Sequence, residues 1–202
     1  MALDLYLALA LFVFVTSVTP GPNNVMLMAS GLNFGFRRSL PHIWGVVLGC
    51  SLMMVLVGAG VGAVFERYPG LAAILKYAGA AYLAWLAWCI ARAGPVESAN
   101  ATAPRPMTLL AACAFQWINP KAWVMAVGAV TAYAAVAGFP WNVVAIALIF
   151  LVVGAPCCVL WVLFGSAMRN VLGDPRAVRI FNVAMALLLV LSLLPALAED
   201  WF

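Results

Sequence analysis

The sequence predicts an all-α membrane protein: six transmembrane helices forming a 3+3 inverted-topology repeat, with helices 1 and 4 broken by proline. Three observations predict it: an apolar composition, regular punctuation of long apolar runs by short turns, and two matched proline interruptions. Of 202 residues, 67% are hydrophobic and 8% are charged, and the mean hydropathy is +1.12. Soluble domains carry roughly 25% charged residues. Too few polar side chains remain to cover a water-facing surface, so lipid is the expected solvent for most of the chain. At about 20 apolar residues per span, the length accommodates about six helices in one transmembrane domain, residues 1–202.

Span 1 is read over residues 4–31, interrupted at Thr19-Pro20-Gly21-Pro22-Asn23-Asn24. Its start lacks a basic region and runs into this proline motif rather than a cleavage site, unlike a signal peptide. The turn Asn33-Phe34-Gly35-Phe36-Arg37-Arg38 ends it. Span 2 covers 39–65 and carries Gly45 and Gly49, then Gly58 and Gly62, at a four-residue spacing that lets helix backbones approach. These pairs are expected to pack helices within one chain, with a homodimer left open. His42, after Pro41 at the start of span 2, reads as a loop-side structural residue.

Glu66-Arg67-Tyr68-Pro69-Gly70 leads into span 3, 71–93. Residues 94–106 read as a flexible linker between repeat halves of about 1–93 and 107–202. Span 4, 107–131, is interrupted at Gln116-Trp117-Ile118-Asn119-Pro120-Lys121. Gly138-Phe139-Pro140 precedes span 5, 140–168, and Gly173-Asp174-Pro175 precedes span 6, 175–197. Trp44, Tyr68, Trp88, Trp141 and Trp201 lie near span ends as interfacial anchors.

Charge sets the orientation. Arg37, Arg38, Arg92, Arg105, Arg169, Arg176 and Arg179 fall in or beside the loops after spans 1, 3 and 5, against Arg67 and Lys76 on the other side. The positive-inside rule makes the arginine-bearing loops cytoplasmic and puts both termini outside an inner membrane. Such placement argues against a nucleic-acid surface. Three spans per half oblige the second half to enter the membrane in the opposite sense, the geometry of an inverted repeat with a site where broken helices meet near the midplane.

The two breaks carry the chemistry. Proline removes a donor and clashes with the carbonyl four residues back, so Pro20 and Pro22 should free the carbonyls of Thr16 and Val18, and Pro120 that of Gln116. Thr19 and Asn119 precede proline and are biased away from helix; each reads as an N-cap, with proline first in a new helix. Two helix N-termini inside the membrane, with Lys121 beside one, suit a carboxylate. Freed carbonyls and the amides of Asn23, Asn24, Gln116 and Asn119 suit an ammonium. A small zwitterionic amino acid or derivative meets both. Lys121 lies well inside span 4, where lysine costs roughly 2.5–3.5 kcal/mol on insertion scales.

Other chemistries find less support. Asp4, Glu66, Glu97, Asp174, Glu199 and Asp200 lie at span ends or in loops, so any coupled proton falls to Lys121 or to the substrate. One histidine and no mid-membrane carboxylate leave few ligands for a metal-efflux permease. A thiol-redox electron relay needs a cysteine in each broken helix; span 4 has Cys113, span 1 has none, so that reading requires pairs elsewhere. Cys50, Cys89, Cys113, Cys157 and Cys158 form no CxxC and read as packing residues. No acid–base pair or Ser-Lys dyad marks an enzyme, and no cofactor is expected.

Thr19-Pro-Gly-Pro-Asn-Asn24, Gly79-Ala-Ala-Tyr-Leu-Ala-Trp-Leu86 and Asn119-Pro-Lys-Ala122 together resemble the hallmarks of the LysE/RhtB amino-acid exporter superfamily, over nearly the whole chain. The resemblance implies efflux of amino acids or derivatives driven by the proton gradient. Carried over by position, it implies site residues Pro20, Pro22, Asn23, Asn24, Asn119, Pro120 and Lys121. Asn33 to Arg38, and the stretch from Ala80 to Trp88, look similar to exporters of cysteine and O-acetylserine. Homoserine/threonine, leucine and lysine exporters remain open, with a cationic substrate disfavoured by the absence of a mid-membrane carboxylate.

Overall fold

In lipid, backbone amides must find partners within their own segment, and among the described residues every regular element is helical. The computed structural model describes residues 2–93, 105–172, 174–192 and 194. Most of the expected linker, from 94 to 104, and the Trp201 anchor lie outside them.

Helix α1 (Ala2–Val18) stops where Pro20 and Pro22 withdraw two donors, and α2 (Pro22–Phe34) follows at a bend of 57°. Gly35, at φ 77°, turns the chain within one residue into α3 (Phe36–Leu56). A π-helical turn at Val57–Val61 follows, with Gly60 at φ 101°, then α4 (Gly62–Arg67) and α5 (Pro69–Arg92). Positive φ at Gly35 and Gly60 is a conformation that a side chain disfavours.

In the second half, Thr108 caps α6 (Leu109–Phe115) by accepting from Ala111 N at 3.2 Å. A 3-10 turn at Gln116–Ile118 leads to α7 (Pro120–Ala132). Next come α8 (Trp141–Ile149), a π-helical turn at Phe150–Gly154, and α9 (Ala155–Val171). Asp174 caps α10 (Pro175–Leu191) through Arg176 N at 2.9 Å.

Among the described residues, three helices, Phe36–Val64, Ala73–Arg92 and Trp141–Arg169, are long and apolar enough to cross a bilayer. The bent pair Leu3–Val18 and Pro22–Phe34 makes a fourth if it is one span. Leu109–Ile118 is a shorter apolar helix, and α10 has 17 residues.

Helix packing follows the glycines. Between lipid-bathed helices the hydrophobic effect contributes little, and close backbone approach takes its place. Helix α2 crosses α9 in backbone contact: a Cβ on Gly31 would lie 2.1 Å from Val162 O, and one on Gly165 2.0 Å from Met28 O. Gly45 and Gly49 seat α3 on α6, where added Cβ atoms would come within 2.4 Å of Leu109 O and 2.8 Å of Cys113 Cα. Gly58 meets Val143, whereas a Cβ on Gly62 would meet nothing within 4 Å. The Gly58/Gly62 pair is therefore not a packing seam, because the kink at Gly60 turns Gly62 away.

Among the described residues, two buried clusters result. One joins Leu9 and Val13 of α1, Leu27 of α2, Val47 and Met53 of α3, Ala126 of α7 and Val162 of α9. The other joins Leu83 of α5, Phe115 of α6 and Leu189 of α10. Outward faces stay apolar, as in the α3 stripe Leu40, Trp44, Leu48 and Leu52, which suits contact with lipid.

Candidate functional site

The two breaks meet. Thr19 and Pro20 are exposed, while Gly21, Pro22 and Asn24 are buried. Gly21, not Thr19, is the N-cap of α2, with Pro22 as its first residue. This corrects the expected start at Pro20: Pro22 forces its predecessor Gly21 into extended backbone (φ −175°, ψ 179°), so no helix can begin earlier. Thr19 instead closes α1, its Oγ1 donating to Val15 O at 2.6 Å and its N to the same carbonyl at 3.0 Å.

At the second break Asn119 is the N-cap, its Oδ1 accepting from Lys121 N at 3.2 Å, and Pro120 is first in α7. The Gln116 carbonyl is not freed; the 3-10 turn lets Asn119 N donate to it at 3.2 Å.

Hydrogen bonds tie the breaks together. Asn23 Nδ2 donates to Gln116 Oε1 at 2.8 Å, and Gln116 Nε2 returns a bond to Asn23 Oδ1 at 3.1 Å. Gln116 is fully buried; its Nε2 also donates to Ala112 O at 2.9 Å, and its Oε1 accepts from Cys50 Sγ at 3.2 Å and Asn119 Nδ2 at 3.5 Å. Asn24 Nδ2 donates to Ser17 O at 2.9 Å and Thr19 O at 2.7 Å, covering carbonyls at the end of α1.

Lys121 completes the junction. Its Nζ donates to Thr19 O and, at 3.4 Å, to Pro20 O, so the ammonium faces the negative end of the α1 dipole. The side chain passes over Gly21, where a Cβ would fall 2.6 Å from Lys121 Cδ. Glycine is needed there for space, not for its backbone angle. The ammonium therefore occupies the Thr19 and Pro20 carbonyls, not those of Thr16, Val18 or Gln116 that the prolines were expected to free, and the amides pair with one another or with backbone carbonyls.

A cavity of about 30 Å³ lies beside this network, room for about one water. Gly21, Asn23, Asn24, Asn119 and Lys121 line it together with residues the sequence reading missed, among them Ser17, Cys50, Met125, Phe150 and Cys158. Ser17 Oγ is buried without a hydrogen-bond partner. A serine beside Thr16, just before the proline motif, was the available signal. Cys50, Phe150 and Cys158 come from helices that carry no local mark of the site.

A family model described as LysE type translocator matches residues 14–193. The chain is 32% identical over 184 residues to the cysteine/O-acetylserine efflux protein of Escherichia coli strain K12, covering 89% of this chain and 90% of that protein. The same figures hold for the cysteine/O-acetylserine efflux proteins of Shigella flexneri serotype 5b and Shigella sonnei. No solved structure matches the chain.

Proposed function

The chain belongs to the LysE type translocator family, and on that premise we propose that it exports small zwitterionic amino acids or their derivatives, cysteine and O-acetylserine among them. It is a multi-pass membrane transporter, not an enzyme. The finer reading is a secondary exporter of the inner membrane that works by proton-driven alternating access, with both termini outside.

One observation carries the site assignment: the Lys121 ammonium rests on the Thr19 and Pro20 carbonyls of the other half. It stands where a substrate ammonium would bind. In the proposed cycle an incoming amino acid gives its ammonium to those carbonyls, and Lys121 turns to the carboxylate beside the N-termini of α2 and α7. Asn23, Gln116 and Asn119 exchange their mutual bonds, and Asn24 its bonds to the Ser17 and Thr19 carbonyls, for bonds to substrate, with Pro22 and Pro120 fixing the two helix starts. A cavity the size of a water must widen for this, which is the opening that alternating access supplies. With no mid-span carboxylate in the sequence, Lys121 or the substrate carries any coupled proton.

Equal lengths support the inverted repeat. Helices α2 and α7 have 13 residues each and both begin at proline. A long helical run holding one π turn comes next, 36–67 after α2 and, beyond a short 3-10 turn at Ala134–Val136, 141–171 after α7, then a helix starting at Pro69 or Pro175. In this reading α6, the 3-10 turn and α7 form the fourth span. The 17 residues of α10 extend about 26 Å at 1.5 Å per residue, close to the roughly 30 Å hydrocarbon core.

The test is release of amino acids from cells preloaded with dipeptides, comparing the intact protein with Lys121→Ala at matched membrane expression. Faster release of one amino acid, lost in the variant, supports exporter and site together. Release that survives the substitution removes the site, and no release of any amino acid removes the exporter.

A further inference from the structure

A second cavity, of about 150 Å³, lies at the far end of α2, between the start of α3, the end of α5 and the segment before α6. Its lining includes Ser30, Asn33, His42, Cys89, Arg105 and Met107. It is separate from the Lys121 junction: at 1.5 Å per residue, Ser30 and Asn33 lie about 9–14 Å along α2 from Asn24. A water's share of liquid volume is about 30 Å³, so this space holds a small organic molecule.

His42 is the telling residue. It is 2% exposed, and neither Nδ1 nor Nε2 has a hydrogen-bond partner. The structural role expected for it at a loop would have supplied one. Buried polar groups rarely go unpaired, and leaving one so costs about 1–3 kcal/mol. Its neighbours are differently placed. Asn33 and Asn182 exchange two bonds at 3.0 Å, and Asn33 Nδ2 also donates to Ala29 O, so its amide hydrogens are committed. Ser39 donates to Gly35 O at 2.9 Å, which makes Ser30 the donor in their 2.9 Å contact and leaves the Ser30 oxygen able to accept. Arg105 is exposed at the mouth.

One cation at the rim, one acceptor oxygen inside, and a ring with one donor and one acceptor nitrogen match an α-amino acid better than an apolar ligand. We propose that this cavity is a second binding site for a small zwitterionic amino acid. Arg105 holds the carboxylate, and the ammonium lies against His42 and the Ser30 oxygen. The site sits at the arginine-rich end with Arg37, Arg38 and Arg92, so substrate loads there from the cytoplasm before it reaches Lys121. This assignment rests on the exporter reading.

Cys89 supplies the readout. It lines this cavity and is exposed, whereas Cys50, Cys157 and Cys158 are buried. With Cys113→Ser removing the remaining partly exposed thiol, maleimide labelling of Cys89 is timed in proteoliposomes with and without O-acetylserine, which has no thiol to consume the reagent. The expected result is slower labelling with O-acetylserine, lost in His42→Leu and in Arg105→Gln but retained in Lys121→Ala. Arg105→Gln, at the exposed mouth, keeps the test sound if His42→Leu fails to fold. No protection in a protein that still exports O-acetylserine overturns the second site and leaves the exporter standing. Protection abolished by Lys121→Ala also overturns it, since the effect then originates at the helix breaks. Protection that follows anionic lipid content instead of amino acid assigns the cavity to a headgroup. Failure of O-acetylserine both to protect and to be exported counts against the exporter reading itself.

Discussion

The side-chain amides of Asn23 and Gln116 exchange two hydrogen bonds, at 2.8 and 3.1 Å, across 93 positions of sequence. They form a polar seam between the α1–α2 junction and the α6–α7 junction. A seam buried in a membrane domain should hold the resting conformation and have to part during transport.

Asn23→Leu and Gln116→Leu should each lower the thermal unfolding midpoint in detergent. The pair should show a coupling of about 0.6 kcal/mol and no more than about 1.7 kcal/mol, the average and the upper value for hydrogen bonds between membrane helices. Strictly additive losses would mean that the two amides do not hold one another. Efflux should fall in both single variants and should not recover in the double variant, even where stability does.

Lys121→Met should keep the fold and lose transport. A hydrogen bond to a charged group is worth about 1.5–3 kcal/mol, so the rate at sub-saturating substrate should drop about tenfold or more. Retained efflux at equal membrane abundance would place the substrate carboxylate elsewhere.

Gly21→Ala tests the position of that ammonium without removing it. The added Cβ would lie 2.6 Å from Lys121 Cδ, and the flexible lysine moves more readily than the backbone. Efflux should fall while the unfolding midpoint stays near that of the parent. A large stability loss with unchanged transport would contradict the arrangement.

The α2–α9 crossing should tolerate no side chain. Gly165→Val would drive a Cβ to 2.0 Å from the Met28 carbonyl, backbone against backbone, so the protein should fail to accumulate in membranes. Gly62→Ala, with nothing within 4 Å, is the matched control and should accumulate normally. Similar abundance of the two variants in quantitative blots would refute this packing.

The sequence by itself determined the helical class and the membrane setting, because apolar runs with few charges have no other stable solution in lipid. It also determined where α7 and α10 begin, since a proline lacking a donor costs nothing at a first helical position, whereas Pro69, read as part of the turn before span 3, is the first residue of α5. Asn119 was legible as a cap for the same local reason. The sequence mispredicted the start of α2, where two prolines competed and the second won through its effect on Gly21. Only the tertiary structure decided which partners the polar groups took. Lys121 on Thr19, Asn23 with Gln116, and the isolation of His42 depend on residues far apart in the chain or on the lack of any partner. Backbone rules act over about four residues, whereas a hydrogen bond between helices depends on how closely glycines such as Gly31, Gly49 and Gly165 let those helices approach. That distance is written in no single segment.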